Sequence, residues 1–187
     1  NQVCTAIARD QLKHYDERCA KTREAMSYFW DQLADLPGFK PLRVDESTGS
    51  NMGGWYEPHA AYYPEQLHGL SVKRFAEAVR AEIGGHCHEG SNYCLHNHNF
   101  FKEFDLTGVG VPSRIANNEY DVRQDDRMCD PSLEKYCFSA PRFNYLDKEV
   151  IDLYVKVYRK VIENHEQLLE NDAEKKQDGR WYGTTNE

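Results

Sequence analysis

The 187 residues carry 23 basic and 31 acidic side chains, a net charge of −8, with 40% hydrophobic and 12% aromatic residues. That composition supports one packed domain and excludes wholesale disorder, while the acidic balance repels phosphate backbones and argues against a nucleic-acid partner. No run approaches the ~18 apolar residues that a membrane helix needs, and no charged-then-apolar leader precedes the first helical pattern.

The chain begins at Asn1 with no initiator Met, as a fragment or a processed product would. Cysteines stand at positions 4, 19, 87, 94, 129 and 137. Cys4 and Cys19 share a predicted helix and would lie about 22 Å apart at ~1.5 Å per residue, too far to bridge. A helix-patterned chain of this size does not need a disulfide scaffold. Reduced thiols in a cytoplasmic protein are therefore expected.

In chain order, residues 1–36 carry a helical stripe of Val3, Ile7, Leu12, Tyr15, Cys19, Met26, Phe29, Trp30, Leu33 and Leu36, broken only by one five-residue step. The stripe predicts one long helix ended by Pro37-Gly38. Such a helix far exceeds the mean of about 11–12 residues, so one end is expected to reach into something else. Residues 40–44 read as a short strand, 45–54 as a Ser/Gly/Asn-rich loop, and the aromatic stretch 55–63 as one strand or two short ones. Ser71 caps an amphipathic helix with Val72, Phe75, Val79 and Ile83 inward, stopped by Gly84-Gly85.

Residues 86–98 read as a strand and a loop, 97–104 as a helical turn, and 105–127 as loop. Asp130-Pro131 opens a predicted helix running to about Ser139. Residues 141–146 form an extended connector, and Asp147 caps a final helix with a stripe from Val150 to Leu169. The polar residues 171–187 read as a mobile tail on a domain of residues 1–170. The sum is an α+β fold: a small antiparallel sheet covered by helices on one face, with a long N-terminal helix.

The sharpest chemical feature is His86-Cys87-His88 followed by Cys94-Leu95-His96-Asn97-His98. Each H-x-H pair would place two imidazoles on one side of a strand, and imidazole with thiol suits zinc. The spacing fits no standard zinc pattern, so pocket-lining histidines are the preferred reading, with a zinc site or incidental histidines as the others. Trp55, Tyr56, Tyr62, Tyr63, Tyr93, Phe100 and Phe101 read first as core or interface packing, and second as a wall for a flat or sugar-like ligand. There is no Gly-rich phosphate loop and no G-x-S-x-G elbow.

In order, the segments resemble the C-terminal half of the DegT/DnrJ/EryC1/StrS aminotransferases. Thr5 to Leu12, continuing to Tyr15-Asp16-Glu17, resembles that family's "AAIGLAQL…LDE" helix, and Arg18 to Phe39 its "RRE…Y…L…LPG" continuation. Trp55-Tyr56 falls at its aromatic "WHLYV" strand, and Gly69 to Glu82 resembles the helix before its "EG" turn. Leu95-His96 with Phe100-Phe101 is similar to "PLHLQPAY", and Ser139-Ala140-Pro141 with Leu146 to Ile151 to "SLP…LTDEEVD". The likeness spans residues 2–165. It departs where Gly90-Ser91 stands at the family's "HY" and Cys94 at its Pro.

The resemblance implies the C-terminal small domain of a fold-type I pyridoxal-phosphate enzyme, a homodimer in the intact form. Its large domain would carry the Schiff-base lysine, with the small domain closing over the substrate. Keto-sugars attached to nucleotides, or keto-cyclitols, would be aminated by glutamate or glutamine. The lysine segment has no counterpart among these residues, so the chain alone is expected to bind no pyridoxal phosphate and to be inactive. His96 matches the family histidine at the active-site mouth and is expected to hydrogen-bond a substrate hydroxyl or phosphate. Tyr93, His98, Asn92 and Trp55 are expected in the pocket wall by adjacency. A dehydratase of the same family, a non-catalytic dimerisation or sugar-binding module, and a small metalloprotein are the competing readings.

Overall fold

In the computed structural model, which describes residues 1–90, 108, 136–170 and 172, the N-terminal stripe forms two helices rather than one. They are α1 (Gln2–Leu12) and α2 (Tyr15–Asp31). The expected single helix to Leu36 fails at Lys13-His14, where the last turn of α1 tightens and the amides of Lys13 and His14 donate to the carbonyls of Asp10 and Gln11. The break has an electrostatic logic. Lys13 and His14 meet the negative C-terminal end of α1, and Asp16 and Glu17 occupy the positive first turn of α2. The five-residue step between Ile7 and Leu12 already shifts the apolar stripe at this point. Beyond Asp31, single turns carry the chain to Leu36.

Four short strands form one antiparallel sheet: β1 (Phe39–Pro41), β2 (His59–Tyr62), β3 (His88–Glu89) and β4 (Cys137–Ser139), in the order β1-β2-β4-β3. Residues 137–139 thus form a central strand, where the sequence had suggested the end of a helix. The aliphatic and aromatic face of the sheet carries Phe39, Ala60, Tyr62 and Phe138. Against it pack α2, α3 (Val72–Ile83) and α4 (Lys148–Glu163). The α3 cap is as expected: Ser71 Oγ accepts the Arg74 amide at 3.1 Å, and Gly84 ends the helix in the left-handed region. Asp147 caps α4 in the same way, accepting from the Val150 amide at 3.2 Å. The final stripe is interrupted at Asn164, after which a short helix, α5 (His165–Leu168), follows.

The helices are joined to one another by polar contacts at their rims. Tyr28 donates to Asp152 at 2.8 Å between α2 and α4, and Lys160 reaches Glu82 at 2.7 Å between α4 and α3. Arg159 binds both oxygens of Asp35 and the Gln32 carbonyl just past α2, and the guanidinium holds the Asp35 carboxyl below the usual carboxylate range. Asp172 accepts from both the amide and the hydroxyl of Ser71, so the segment after α5 is tied to the start of α3. The other residues of the expected tail lie outside the described residues. Among the described residues, no helix is long and apolar enough to cross a membrane.

α1 stands apart from this core. None of its residues is buried, and Val3, Ile7 and Leu12 are each more than half exposed. An isolated helix of this length is marginal in water. It is supported here by the Asn1 cap, the Lys13–Asp10 ion pair, and an Arg18–Gln11 bond across the break.

Gly38 shows how tightly the first strand is seated. Its φ is +90°, its amide donates to Gln66 Oε1 at 2.9 Å, and its carbonyl accepts the Tyr63 amide at 2.8 Å. A Cβ there would lie 2.4 Å from Cδ1 of the fully buried Leu67. Gly49 has a similar φ of +81° but open space around it. Gly49→Ala should cost about 1 kcal/mol from backbone strain alone. Gly38→Ala should cost roughly 2 kcal/mol more, because a packed side chain must also move. Urea unfolding of the two variants measures the difference, and equal losses would remove the steric term.

Candidate functional site

The cross-strand register builds the polar face of the sheet. His59 on β2 and His88 on β3 are both direct partners of Ser139 on the intervening β4. Directly opposed residues share a face, so two imidazoles flank one hydroxyl. His86, two residues before His88, joins them. Its ring meets that of His88 edge-on at 4.5 Å between centroids, and its Nε2 lies 3.0 Å from Ser139 Oγ.

The H-C-H triplet alternates as the sequence pattern implies. The two histidines share one side, and Cys87 turns into the core, fully buried against Tyr158. Burial pushes the Cys87 thiol up to about 12. With the thiol in the core and both imidazoles on the opposite side of the strand, His86, Cys87 and His88 do not converge on one point.

The environment of the row favours the neutral form of His86. Burial lowers the His86 pKa first and the neighbouring His88 lowers it further, against an opposing pull from Glu57, with smaller lowering effects from His59 and Arg80. Arg80, on α3, donates to the Cys87 carbonyl at 2.5 Å and lies 3.5 Å from Glu89 Oε2. At the other end of the row, His59 Nδ1 lies 3.1 Å from the Glu57 carbonyl, an acceptor, so that nitrogen carries the proton. His59 Nε2 is then a lone pair, buried and without a hydrogen-bond partner. Buried polar atoms are rarely left unpaired. The Glu57 carboxylate lies beside this nitrogen, with Oε1 3.9 Å away. Ser139 is only 3% exposed and its hydroxyl already meets His86, so what the face turns to solvent is the imidazole rings of His86 and His88, which can hydrogen-bond a polar ligand.

Of the residues expected in a pocket wall, Trp55 is 3% exposed and belongs to the core cluster. It adopts a left-handed φ of 50°, and its indole nitrogen is buried without a partner. His96, Tyr93, His98 and Asn92 lie outside the described residues. A separate cavity of about 580 Å³ opens between the end of α2 and β1, lined by Trp30, Leu33, Phe39, Lys40, Arg43 and Gln66. Sequence reasoning missed His59 and Ser139. Their only signal was a polar residue at the outward parity of a short strand, and nothing local says that three strands align them.

No protein-family model matches the chain, and no curated protein matches it. The seven described lysines lie mostly at the surface. Six of the seven are exposed, and Lys13, Lys21 and Lys160 are ion-paired at the surface.

The histidine row sets a direction for pH dependence. With a folded pKa below its unfolded value, His86 binds its proton more readily in the unfolded chain. Its contribution to stability is therefore full above the unfolded value of about 6.5 and falls as pH drops through and below it. In an NMR titration His86 should titrate below an ordinary histidine, and His88→Gln should bring it back upward. A His86 that titrates normally, unmoved by that substitution, would separate the two rings electrostatically.

Proposed function

We propose that residues 1–170 are the C-terminal small domain of a fold-type I, pyridoxal-phosphate-dependent aminotransferase. Its substrate would be a nucleotide-linked keto-sugar or a keto-cyclitol, with glutamate or glutamine as amino donor, in a cytoplasmic homodimer. The order of the sequence segments that resemble the DegT/DnrJ/EryC1/StrS family supports the reading, and so does the α+β arrangement of helices on one face of a small antiparallel sheet. The cofactor supplies the electron sink when bound, on a large domain outside these residues. This chain supplies a cover: the small domain excludes water and presents hydrogen-bonding side chains to the sugar or cyclitol hydroxyls.

The observation that carries the proposal is α1. Its 11 residues are all exposed, yet Val3, Ile7, Leu12 and, at the start of α2, Tyr15 present large apolar side chains to water. A helix so poorly supported by its own domain needs a neighbour, and a domain junction supplies one. The histidine and serine face then becomes the surface on which a hydroxylated substrate is received.

Two measurements test this. In the 187-residue chain, Ile7→Glu should leave unfolding stability within about 0.5 kcal/mol, because that side chain is 57% exposed and outside the core cluster, while abolishing the concentration-dependent self-association that sedimentation of the wild-type chain should show. Expressed from the natural coding sequence that contains these residues, the protein should absorb between about 330 and 430 nm. Borohydride should then fix the cofactor on a lysine outside residues 1–187, and glutamate should support amination of a nucleotide-linked keto-sugar. A cofactor fixed on a lysine within residues 1–187, or no cofactor at all, would sink the proposal.

A further inference from the structure

Away from the sheet, two histidines and a glutamate converge where α5 meets the loop before α3. His68 follows the short 3-10 turn Pro64–Leu67, and His165 and Glu166 open α5. One ligand atom from each of the three lies within 4.8 Å of the other two, and among the described residues no other trio of His, Cys, Asp or Glu converges in this way. The imidazole centroids are 5.1 Å apart, and His68 Nδ1 lies 3.4 Å from Glu166 Oε1.

We propose that His68, His165 and Glu166 bind a divalent transition-metal ion of the zinc class. Three features beyond proximity support it. First, His165 is already oriented as a ligand. Its Nδ1 lies 2.7 Å from the Ile162 carbonyl, which only accepts, so the proton sits on Nδ1 and Nε2 presents its lone pair. That Nε2 is buried and has no hydrogen-bond partner. Second, His68 is held at φ +54°, the left-handed region that non-glycine residues occupy at a cost and that recurs at ligand clamps. Third, the donors sit on two segments already fastened to each other, because Ser71 and Asp172 bond three residues beyond His68 and six beyond Glu166. The geometry of the two segments is therefore set before any ion arrives.

Two imidazoles and one carboxylate are a borderline-soft set, suited to zinc and to nickel, cobalt or copper in the order of their general affinities, and unsuited to calcium or magnesium. With three protein ligands, the fourth position is left to water. His68 and Glu166 are largely exposed, so the ion would lie at the surface and staple the loop before α3 to the C-terminal helix.

The test uses the full chain, stripped with EDTA and titrated with zinc chloride against a chromophoric competitor. His68→Gly is the informative variant. It relieves the left-handed strain, so the metal-free fold should be as stable as the wild type or more so, while one ligand is lost. Wild-type chain should bind one zinc equivalent that His68→Gly and His165→Ala each weaken by at least about tenfold, with Glu166→Gln weaker than wild type and exposed His14→Gln unchanged. Zinc should raise the melting temperature of the wild type and not of His68→Gly. Cobalt in the same site should give no thiolate charge-transfer band. No binding by the wild type, or binding that His68→Gly and His165→Ala leave unchanged, overturns the site. A thiolate band that persists in those variants also overturns it and places the ion among cysteines.

Discussion

Phe138 is the residue on which the rest of this domain depends. From the middle of β4 it packs against Phe75 of α3 at 5.1 Å, Phe39 of β1 at 5.5 Å, Tyr158 of α4 at 6.2 Å and Tyr62 of β2 at 6.3 Å between ring centroids. Several of these are edge-to-face or tilted contacts, each contributing about 0.5–1.5 kcal/mol beyond the area buried. One side chain thus joins three strands and two helices from both ends of the sequence. Its inward placement also has a consequence on the other face. Strand parity turns Cys137 and Ser139 outward, and the register then brings His59 and His88 to Ser139. The polar row follows from the aromatic core.

That dependence explains what the sequence made legible. α3 and the start of α4 were readable because their caps are local. Ser71 and Asp147 each satisfy an amide three residues on, Gly84 supplies the left-handed stop, and the apolar stripes repeat at helical spacing. The parity of His86-Cys87-His88 was also readable, since alternation needs only the strand. β4 was not. Residues 137–139 follow a plausible helix start, and a three-residue strand has too few positions for alternation to outweigh it. What makes it a strand is pairing with β2 and β3, whose residues lie some 80 and 50 positions upstream. The long N-terminal helix failed for the opposite reason. Its stripe was read as continuous across a five-residue step, although the charges on either side of Lys13-His14 favour one helix ending and another beginning.

The same distinction separates the two histidine groups. The triplet at 86–88 draws attention in the sequence because its members are adjacent, yet adjacency on a strand sends the thiol to the core and leaves only the imidazoles together. His68 and His165 are almost a hundred residues apart and carry no motif. They meet because the loop after Leu67 and the helix after Asn164 both end at the start of α3, where Leu67 and Leu70 are fully buried and Asp172 closes on Ser71. Metal-ligand spacing in a sequence detects sites built within one local unit. It is blind to sites made by tertiary contact between two units.

The two ends of the described chain are held very differently, and the difference bears on how the domain works. Residues 165–170 and Asp172 are fixed to residues 68–71 and the core through an imidazole contact, a carboxylate on two donors at a helix start, and the apolar side chains of Leu168 and Leu169. α1 has a side-chain cap, one local ion pair and no buried residue. Opening at α1 exposes almost nothing new to water, so its free energy lies near the low end of the local scale, whereas opening the contact of residues 68–71 with residues 165–170 and Asp172 breaks buried bonds. A segment with that asymmetry adapts to whatever packs on its apolar side while the sheet and its histidine row stay in place. A neighbour seated on α1 would thus leave the core where it is, because Met26, Phe29 and Trp30 of α2 are fully buried in it.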